Sequence, residues 1–417
     1  MKPADPAAPA PMLYLLDGIR RIARADNLGI MSSLSHLPLA PLAATALVPA
    51  LAFGLAAPAA AQSLTGSALE QAVISSNADP GSSGDAIDAT LTTLDALGSS
   101  EVPVSSAPGS SAAGSKLPVD RSIVTPAIVD KQVEGERLER WTVASPAMMR
   151  NVEVQIMGAA DSNTPAPMLY LLDGVGAPRT SWWLSPGIAP EVFADENVTL
   201  VMPTQAQASM YADWQRDDPT LGRHQWETFI TSELAPLLEA EPELNFNGHR
   251  GIGGLSMGAT GAIHIANRHP ELFDAAFGLS GCYSTLDPLG RQNAHLTVTT
   301  RGGDLDNLYG PYGSDAWRYH DTVADPSGLR EQRIYLSAAT GAFAADDVAN
   351  YADGDWFDMS SGAVLERSSL DCTRMLDDAL GDAPGLRVDY SETGTHDWHT
   401  FNKQLPAAWE HIRPALF

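Results

Sequence analysis

Near the middle of the chain the sequence reads Gly251-Ile-Gly-Gly-Leu-Ser-Met-Gly-Ala-Thr-Gly261. Within it, Gly254-Leu-Ser256-Met-Gly258 has the G-x-S-x-G pattern of a nucleophile elbow, a sharp turn between a strand and a helix. Glycines flank the serine because the strained backbone of such a turn leaves no room for side chains. The small residues at 259–266 predict a helix whose N-terminus points at the serine. The alternative is a plain tight turn, because the pattern alone is only moderately specific in a chain with 35 glycines.

The segments on both sides of this motif alternate between predicted strands and predicted helices. The predicted strands cover 140–145, 151–157, 167–172, 197–203, 275–281, 333–339 and 386–390, and the predicted helices cover 225–238, 363–380 and a final segment after His399. Apolar runs such as 167–172 are typical of central parallel strands. This alternation predicts an α/β-hydrolase fold, with a mostly parallel, doubly wound sheet in a single catalytic domain at 125–417.

The first 124 residues have a different composition. Residues 37–61 form an apolar stretch that ends in small residues, as a secretory signal peptide does. A membrane anchor is the weaker alternative because prolines interrupt the stretch. We therefore expect an N-terminal extension and signal peptide at 1–61 and a flexible Ser/Ala/Gly-rich spacer at 62–124. The protein would be secreted or held in the cell envelope, with no stable transmembrane segment after signal cleavage.

One ten-residue segment occurs twice. Residues 9–18 repeat residues 165–174 letter for letter. The first copy precedes the predicted export signal and has no partner strand. We interpret it as a duplicated fragment or a misplaced start, with Met31 as an alternative start, and assign it no function.

Charge and cysteine content limit the functions that the chain can have. The 51 acidic and 25 basic residues give a net charge of −26, which argues against nucleic acid or an anionic membrane as a partner. The only two cysteines, Cys282 and Cys372, lie in the predicted domain. An exported chain meets oxidising conditions, so we expect them to form a disulfide; two buried thiols are the alternative.

A nucleophilic serine needs an imidazole base, and the imidazole needs a carboxylate that fixes its tautomer. In this fold the chain order is serine, acid, histidine. His396 follows the last predicted strand and is the expected base, whereas His399 has the position of a first helical turn. We expect no cofactor and no metal, because a His396-x-x-His399 pair lacks a third ligand of obvious spacing.

The acid and the oxyanion donors are less strongly indicated. Pattern alone favours Asp346 or Asp347, which follow the predicted strand at 333–339, over Glu366 on a later helix. The loop Asp173-Gly-Val-Gly176 follows a predicted central strand, where α/β-hydrolases place an oxyanion donor. We therefore expect the backbone N–H groups of Val175 and Met257 to form the oxyanion hole; a plain turn is the alternative.

Several segments together resemble the mycolyltransferases of the antigen 85 family and their corynebacterial relatives, over about residues 135–410. They are Tyr170-Leu-Leu-Asp-Gly174, Met210-Tyr-Ala-Asp-Trp214, Trp226-Glu-Thr-Phe-Ile-Thr-Ser-Glu-Leu234, Gly254-Leu-Ser-Met257, His269-Pro270 and Gly394-Thr-His396 with Trp398. The resemblance implies Ser256 as nucleophile, His396 as base and Glu366, in Val364-Leu-Glu366, as the acid in place of the aspartates. It also implies that Asp173 and Trp398 border a trehalose site.

The family transfers a mycoloyl group, a long α-branched β-hydroxy acyl chain, between trehalose monomycolates or onto cell-wall arabinogalactan. Where its members have Asp-Gly-Leu-Arg, this chain has Asp173-Gly-Val-Gly176, and the family's His-Ser-Trp is here His396-Asp397-Trp398. These departures affect the sugar acceptor more than the chemistry, and Asp397 is expected to favour the protonated imidazole. The resemblance thus implies a secreted serine acyltransferase. A secreted carboxylesterase and a non-catalytic carbohydrate-binding protein or adhesin on the same fold are the alternatives.

Overall fold

The computed structural model describes residues 116–351 and 356–417. The predictions for the signal peptide, the duplicated fragment at 9–18 and the spacer up to residue 115 lie outside the described residues. Within the part of the chain that is described, no helix is both long enough and apolar enough to cross a membrane.

Nine strands form one sheet in the order β1-β2-β3-β5-β4-β6-β7-β8-β9. The strands are β1 Ala127–Val133, β2 Leu138–Ser145, β3 Arg150–Met157, β4 Ala166–Leu172, β5 Thr199–Pro203, β6 Phe246–Leu255, β7 Ala275–Leu279, β8 Arg333–Ala339 and β9 Leu386–Ser391. Strands β1, β2, β3 and β5 pair antiparallel in succession, and every pairing from β5 through β4 to β9 is parallel. The prediction of a mostly parallel sheet is confirmed.

Helices connect the parallel strands. They are α1 Ala189–Val192, α2 (Trp226–Thr228, a π-helical turn Phe229–Leu234, and Ala235–Glu239), α3 Met257–Arg268, α4 Pro288–Thr299, α5 Leu305–Leu308, α6 Asp315–Tyr319, α7 Ala345–Asn350, α8 Trp356–Leu380 and α9 Trp398–Ile412. Short 3₁₀ turns occur at Pro242–Leu244, Ser327–Leu329 and Arg413–Ala415. The short helices α5 and α6 thus lie in the long connection between β7 and β8.

Apolar side chains cover both faces of the sheet. Tyr170 and Leu172 of β4 pack into one core with residues of α2 and α3. Leu169 and Leu171 alternate with them and pack into the opposite core with α9. Burial on both faces explains why β4 is a continuous apolar run. The sheet therefore holds the carboxyl ends of its central parallel strands at one rigid edge.

Candidate active site

Ser256 lies in the turn between β6 and α3. Its backbone has φ 54° and ψ −124°, which is a strained conformation for a residue with a side chain. A Cβ on Gly254 would lie 2.3 Å from the backbone of Gly258, and a Cβ on Gly258 would lie 2.2 Å from the carbonyl oxygen of Leu172. Both motif glycines are therefore required by close backbone packing. This local geometry is a strand, a sharp turn and a helix, as the G-x-S-x-G pattern predicts.

Three side chains meet at the edge of the sheet. The Nε2 atom of His396 lies 2.8 Å from Ser256 Oγ, and its Nδ1 atom lies 2.8 Å from Glu366 Oε2. Ser256 follows β6, His396 follows β9, and Glu366 is on α8. The structure thus brings together the residues that the resemblance implied as nucleophile, base and acid.

Glu366 is fully buried and both of its carboxylate oxygens accept hydrogen bonds. Its Oε1 accepts from the Ser280 hydroxyl at 2.7 Å and from the Ala339 N–H at 2.7 Å. The backbone N–H of His396 also donates to the carbonyl of Gly362 on α8, at 3.0 Å. The carboxylate and the imidazole are therefore fixed relative to one another by several contacts.

Sequence reasoning missed Ser280. It directly follows β7, the strand beside β6, and has a positive φ of 53°. The available signal was its position, because polar residues at the carboxyl ends of parallel strands meet at one edge of the sheet.

The two aspartates that the pattern favoured have other partners. Asp346 accepts hydrogen bonds from Lys403 Nζ at 2.7 Å and faces His399 Nε2 at 3.0 Å. Asp347 accepts from the Ala344 N–H at 2.7 Å, at the start of α7. The described hydrogen bonds of the His396 ring run to Ser256 and Glu366 instead. Of the three candidate acids, Glu366 is therefore the one with a described hydrogen bond to the His396 ring.

The loop at 173–176 runs beside the serine. A Cβ on Gly174 would lie 3.6 Å from Ser256 Cβ, so the chain passes close to the nucleophile position. Val175 is the next residue of this loop. Met257 is the first residue of α3, where its N–H has no partner within the helix. Both expected oxyanion donors are therefore on segments that adjoin Ser256.

Asp173 is the first residue of this loop and is fully buried. Its Oδ1 accepts a hydrogen bond from the Trp182 N–H at 3.1 Å, and its Oδ2 has no partner among the described residues. Burial raises the pKa of Asp173 to about 7, against the opposing effect of hydrogen bonds from Ser181, Trp182 and Trp183. The Asp173 carboxyl is therefore held next to the site in an environment that disfavours its charge.

Trp398 begins α9, immediately after the loop that carries His396. Its ring is partly exposed and meets Trp183 edge to face, with ring centroids 5.6 Å apart. Asp173 and Trp398 thus both adjoin the segment at 182–183. Their role in sugar binding stays a prediction.

Asp397 acts as the N-cap of α9. Its Oδ1 accepts from the Thr400 N–H at 3.0 Å, and its Oδ2 accepts from the hydroxyls of Thr395 at 2.8 Å and Tyr351 at 2.9 Å. A carboxylate so engaged stabilises the helix N-terminus. The described hydrogen bonds of the Asp397 carboxylate therefore run to the start of α9 and to two hydroxyls, and none of them is with the His396 ring.

A disulfide joins Cys282 and Cys372, which confirms the predicted pairing. Cys282 follows Ser280 by two residues, and Cys372 is on α8, six residues after Glu366. The bridge therefore links the chain after β7 to the helix that carries Glu366.

The sheet order, the elbow and the side chains at its edge define an α/β-hydrolase-fold protein. The sequence profile of a family described as putative esterases matches residues 145–412. The diacylglycerol acyltransferase/mycolyltransferase Ag85A of Mycobacterium tuberculosis (strain ATCC 25618 / H37Rv) is 30% identical over 293 residues, which cover 68% of this chain and 82% of that protein. Ag85C of Mycobacterium leprae (strain TN), with the same description, is 27% identical over 289 residues, covering 68% and 83%.

Among solved structures, the crystal structure of Mycobacterium tuberculosis MPT51 (FbpC1) superposes with a TM-score of 0.57 at 25% identity, covering 68% of this chain and 100% of that one. The chain therefore belongs to the Ag85 acyltransferase/mycolyltransferase family, within the esterase family. The α/β-hydrolase fold that the sequence predicts is confirmed.

Proposed function

We propose that this protein is an exported serine acyltransferase that moves a mycoloyl group from trehalose monomycolate to a second trehalose monomycolate or to another cell-envelope hydroxyl, such as one of arabinogalactan. The observation that carries the proposal is the hydrogen-bonded series Ser256, His396 and Glu366 at the sheet edge. The relatives described as mycolyltransferases support a mycoloyl group as the acyl group that is transferred. The trehalose donor follows from the resemblance of the sequence motifs.

In the first half-reaction, Ser256 Oγ attacks the carbonyl carbon of the donor ester while His396 Nε2 takes its proton. The developing oxyanion accepts hydrogen bonds from the N–H groups of Val175 and Met257. When the intermediate collapses, the bond from carbon to the sugar oxygen breaks. The imidazolium of His396 then gives its proton to that oxygen, and the free sugar leaves an acyl ester on Ser256.

In the second half-reaction, an acceptor hydroxyl gives its proton to His396 and attacks the acyl ester. Collapse of the second intermediate returns the proton to Ser256 Oγ. Glu366 orients the imidazole and stabilises its charged form in both halves, because its Oε2 faces Nδ1 at 2.8 Å.

We propose Asp173 and Trp398 as sugar-contacting residues. Gly176 replaces the arginine found in the family's loop, and Trp182 occupies the adjacent space, since a Cβ on Gly176 would lie 2.5 Å from the Trp182 ring. The cation that the family presents to its sugar is thus absent from this loop position. An acceptor other than trehalose is compatible with this difference.

We further propose export by the signal peptide at 1–61, a spacer at 62–124 and a catalytic domain at 125–417. The disulfide supports a compartment outside the reducing cytosol. Secretion would bring the protein to the cell envelope, where its proposed substrates lie.

The proposal is tested by incubating the purified protein with a labelled trehalose monomycolate, with and without added acceptor sugars. We expect trehalose dimycolate or an acylated acceptor, together with free trehalose. Free mycolic acid as the main product at every acceptor concentration would instead indicate a carboxylesterase. Binding of the glycolipid without any acyl-enzyme would indicate a non-catalytic carbohydrate-binding protein.

A further inference from the structure

A second group of buried side chains lies apart from the proposed catalytic residues. It comprises Glu227 of α2, His264 of α3 and His320, which follows α6. Glu227, His264 and His320 are 6%, 3% and 6% exposed. His264 is eight residues beyond Ser256, which corresponds to about 12 Å along α3. The proposed acyl transfer does not use these three residues.

His320 has one ring nitrogen for which the described residues offer no hydrogen-bond partner. The Nδ1 of His320 lies 2.8 Å from the carbonyl oxygen of Ala316, so Nδ1 carries the proton and Nε2 presents a lone pair. That Nε2 has no partner among the described residues, and His264 turns its own Nε2 toward Glu227 Oε2 at 3.2 Å. A buried polar atom without a partner is costly, and an ion is one of the few features that account for it.

The three side chains are close enough to share one ion. The rings of His264 and His320 stack with centroids 4.5 Å apart, and His264 Nε2 lies 3.2 Å from Glu227 Oε2. One ligand atom from each residue lies within 4.8 Å of the other two. Around a tetrahedral zinc ion, ligand atoms lie about 3.3 Å apart, so modest side-chain rotations would close the site.

We propose that Glu227, His264 and His320 bind one divalent transition-metal ion, with zinc the best match to two imidazoles and a carboxylate. The ion would bridge three elements that are distant in sequence, α2, α3 and the segment after α6. The ion would therefore stabilise the position of α3, the helix that begins directly after Ser256. Sequence inspection does not predict this site because its residues have no recognisable ligand spacing.

The surroundings of Glu227 suit such a role. Its Oε1 faces His269 Nε2 at 3.0 Å and accepts from the Tyr319 hydroxyl at 2.6 Å, while Oε2 faces His264. Outer contacts of this kind orient a ligating carboxylate. A cleft of about 470 Å³, lined in part by Glu227, His269 and His320, opens onto the group. It provides a path for the ion and for a water molecule as fourth ligand.

Equilibrium dialysis of the full-length protein against Zn²⁺ alone, followed by metal analysis, tests the proposal. We expect one ion per chain, and His320→Asn and His264→Gln should each weaken binding by at least about 100-fold. His224→Asn is the matched control, because His224 is also buried, at 5% exposure, but is outside the group. Its Zn²⁺ affinity should equal that of the unmodified protein. Binding that is unchanged in the two variants, or lost equally in the control, would overturn the proposal.

A second measurement does not depend on the variants folding. Co²⁺ added to the unmodified protein should give the intense visible absorption of a tetrahedral site, and Zn²⁺ should abolish it by competition. Zn²⁺ should also raise the thermal unfolding temperature, and a chelator should reverse the rise. A protein that binds neither ion and shows no shift in unfolding temperature refutes the site.

Discussion

The hydroxyl of Ser280 donates a hydrogen bond to Glu366 Oε1 at 2.7 Å. Because Glu366 Oε2 faces His396, this contact fixes the carboxylate from the side opposite the imidazole. The disulfide begins two residues beyond Ser280 and ends six residues beyond Glu366. A covalent link and a buried hydrogen bond thus join the same two segments. The position of the proposed acid is determined by the sheet edge rather than by α8 alone.

The first prediction concerns the proposed nucleophile. Ser256→Ala should lower kcat by about 10⁵-fold or more, because no acyl-enzyme can form. Its circular dichroism and thermal unfolding should match the unmodified protein, since only one oxygen atom is removed from the turn. Mass spectrometry with a labelled donor should show no acylated protein. Retention of a tenth of the original rate would rule out Ser256 as nucleophile.

The second prediction separates the candidate acids. Glu366→Gln should reduce kcat by about 10⁴-fold, because a side-chain amide facing Nδ1 favours the wrong imidazole tautomer. Asp346→Asn is the matched control, since this exposed carboxylate contacts His399 and Lys403 but not His396. Its kcat should remain within about threefold of the unmodified value, because it removes only a surface ion pair. A larger loss in Asp346→Asn than in Glu366→Gln would reverse the assignment.

The elbow and the parallel strands could be predicted because both leave local signals in the sequence. Glycines at 254 and 258 are required by backbone contacts within a few residues and one neighbouring strand. Central strands buried on both faces appear as apolar runs. Strand β1 was missed, because it is an edge strand with mostly exposed side chains and thus lacks an apolar pattern.

The proposed acid, Glu366, and the hydroxyl that hydrogen-bonds to it, that of Ser280, are on segments that are distant in sequence. Ser280 and Glu366 are 86 residues apart, so their contact leaves no local pattern. Pattern alone therefore favoured the aspartates nearer β8, and only the resemblance to a family pointed to Glu366. The disulfide could be predicted because an exported chain meets oxidising conditions and two cysteines allow only one pairing.

The third prediction is a pH dependence of stability. Burial raises the pKa of Asp173 from near 3.8 to about 7 in the folded protein. The folded state thus binds one more proton than the unfolded state between these values. The stabilisation that the protonated Asp173 carboxyl gives the folded state is fully present below about pH 4. It is lost as the pH rises through about 7. Asp173→Asn has no titrating group at this position and shows no such loss. The free energy of unfolding of this variant, relative to that of the unmodified protein, should therefore increase from about pH 4 to 7 and then stay constant.

Urea unfolding of both proteins at several pH values measures this difference. Asp321→Asn is the control, because the buried Asp321 carboxylate accepts hydrogen bonds from Ser284, Thr285 and Leu286. The other carboxylate oxygen of Asp321 accepts from the Ala324 N–H at 2.8 Å, and this variant should be destabilised because an amide nitrogen cannot accept that bond. A stability difference between Asp173→Asn and the unmodified protein that does not change with pH would contradict the prediction.

The last prediction concerns the Cys282–Cys372 disulfide, which closes a loop of 90 residues in sequence separation. Restricting the unfolded chain in this way should stabilise the fold by about 4 to 5 kcal/mol in the chain-entropy model. The double variant Cys282→Ala/Cys372→Ala should lose this stabilisation in urea unfolding. The unmodified protein treated with reductant should show a similar loss, because both proteins lack the bridge and have small apolar side chains at these two positions. Thiol titration of the denatured, unreduced protein should find no free thiol, and two thiols per chain would show that the bridge does not form.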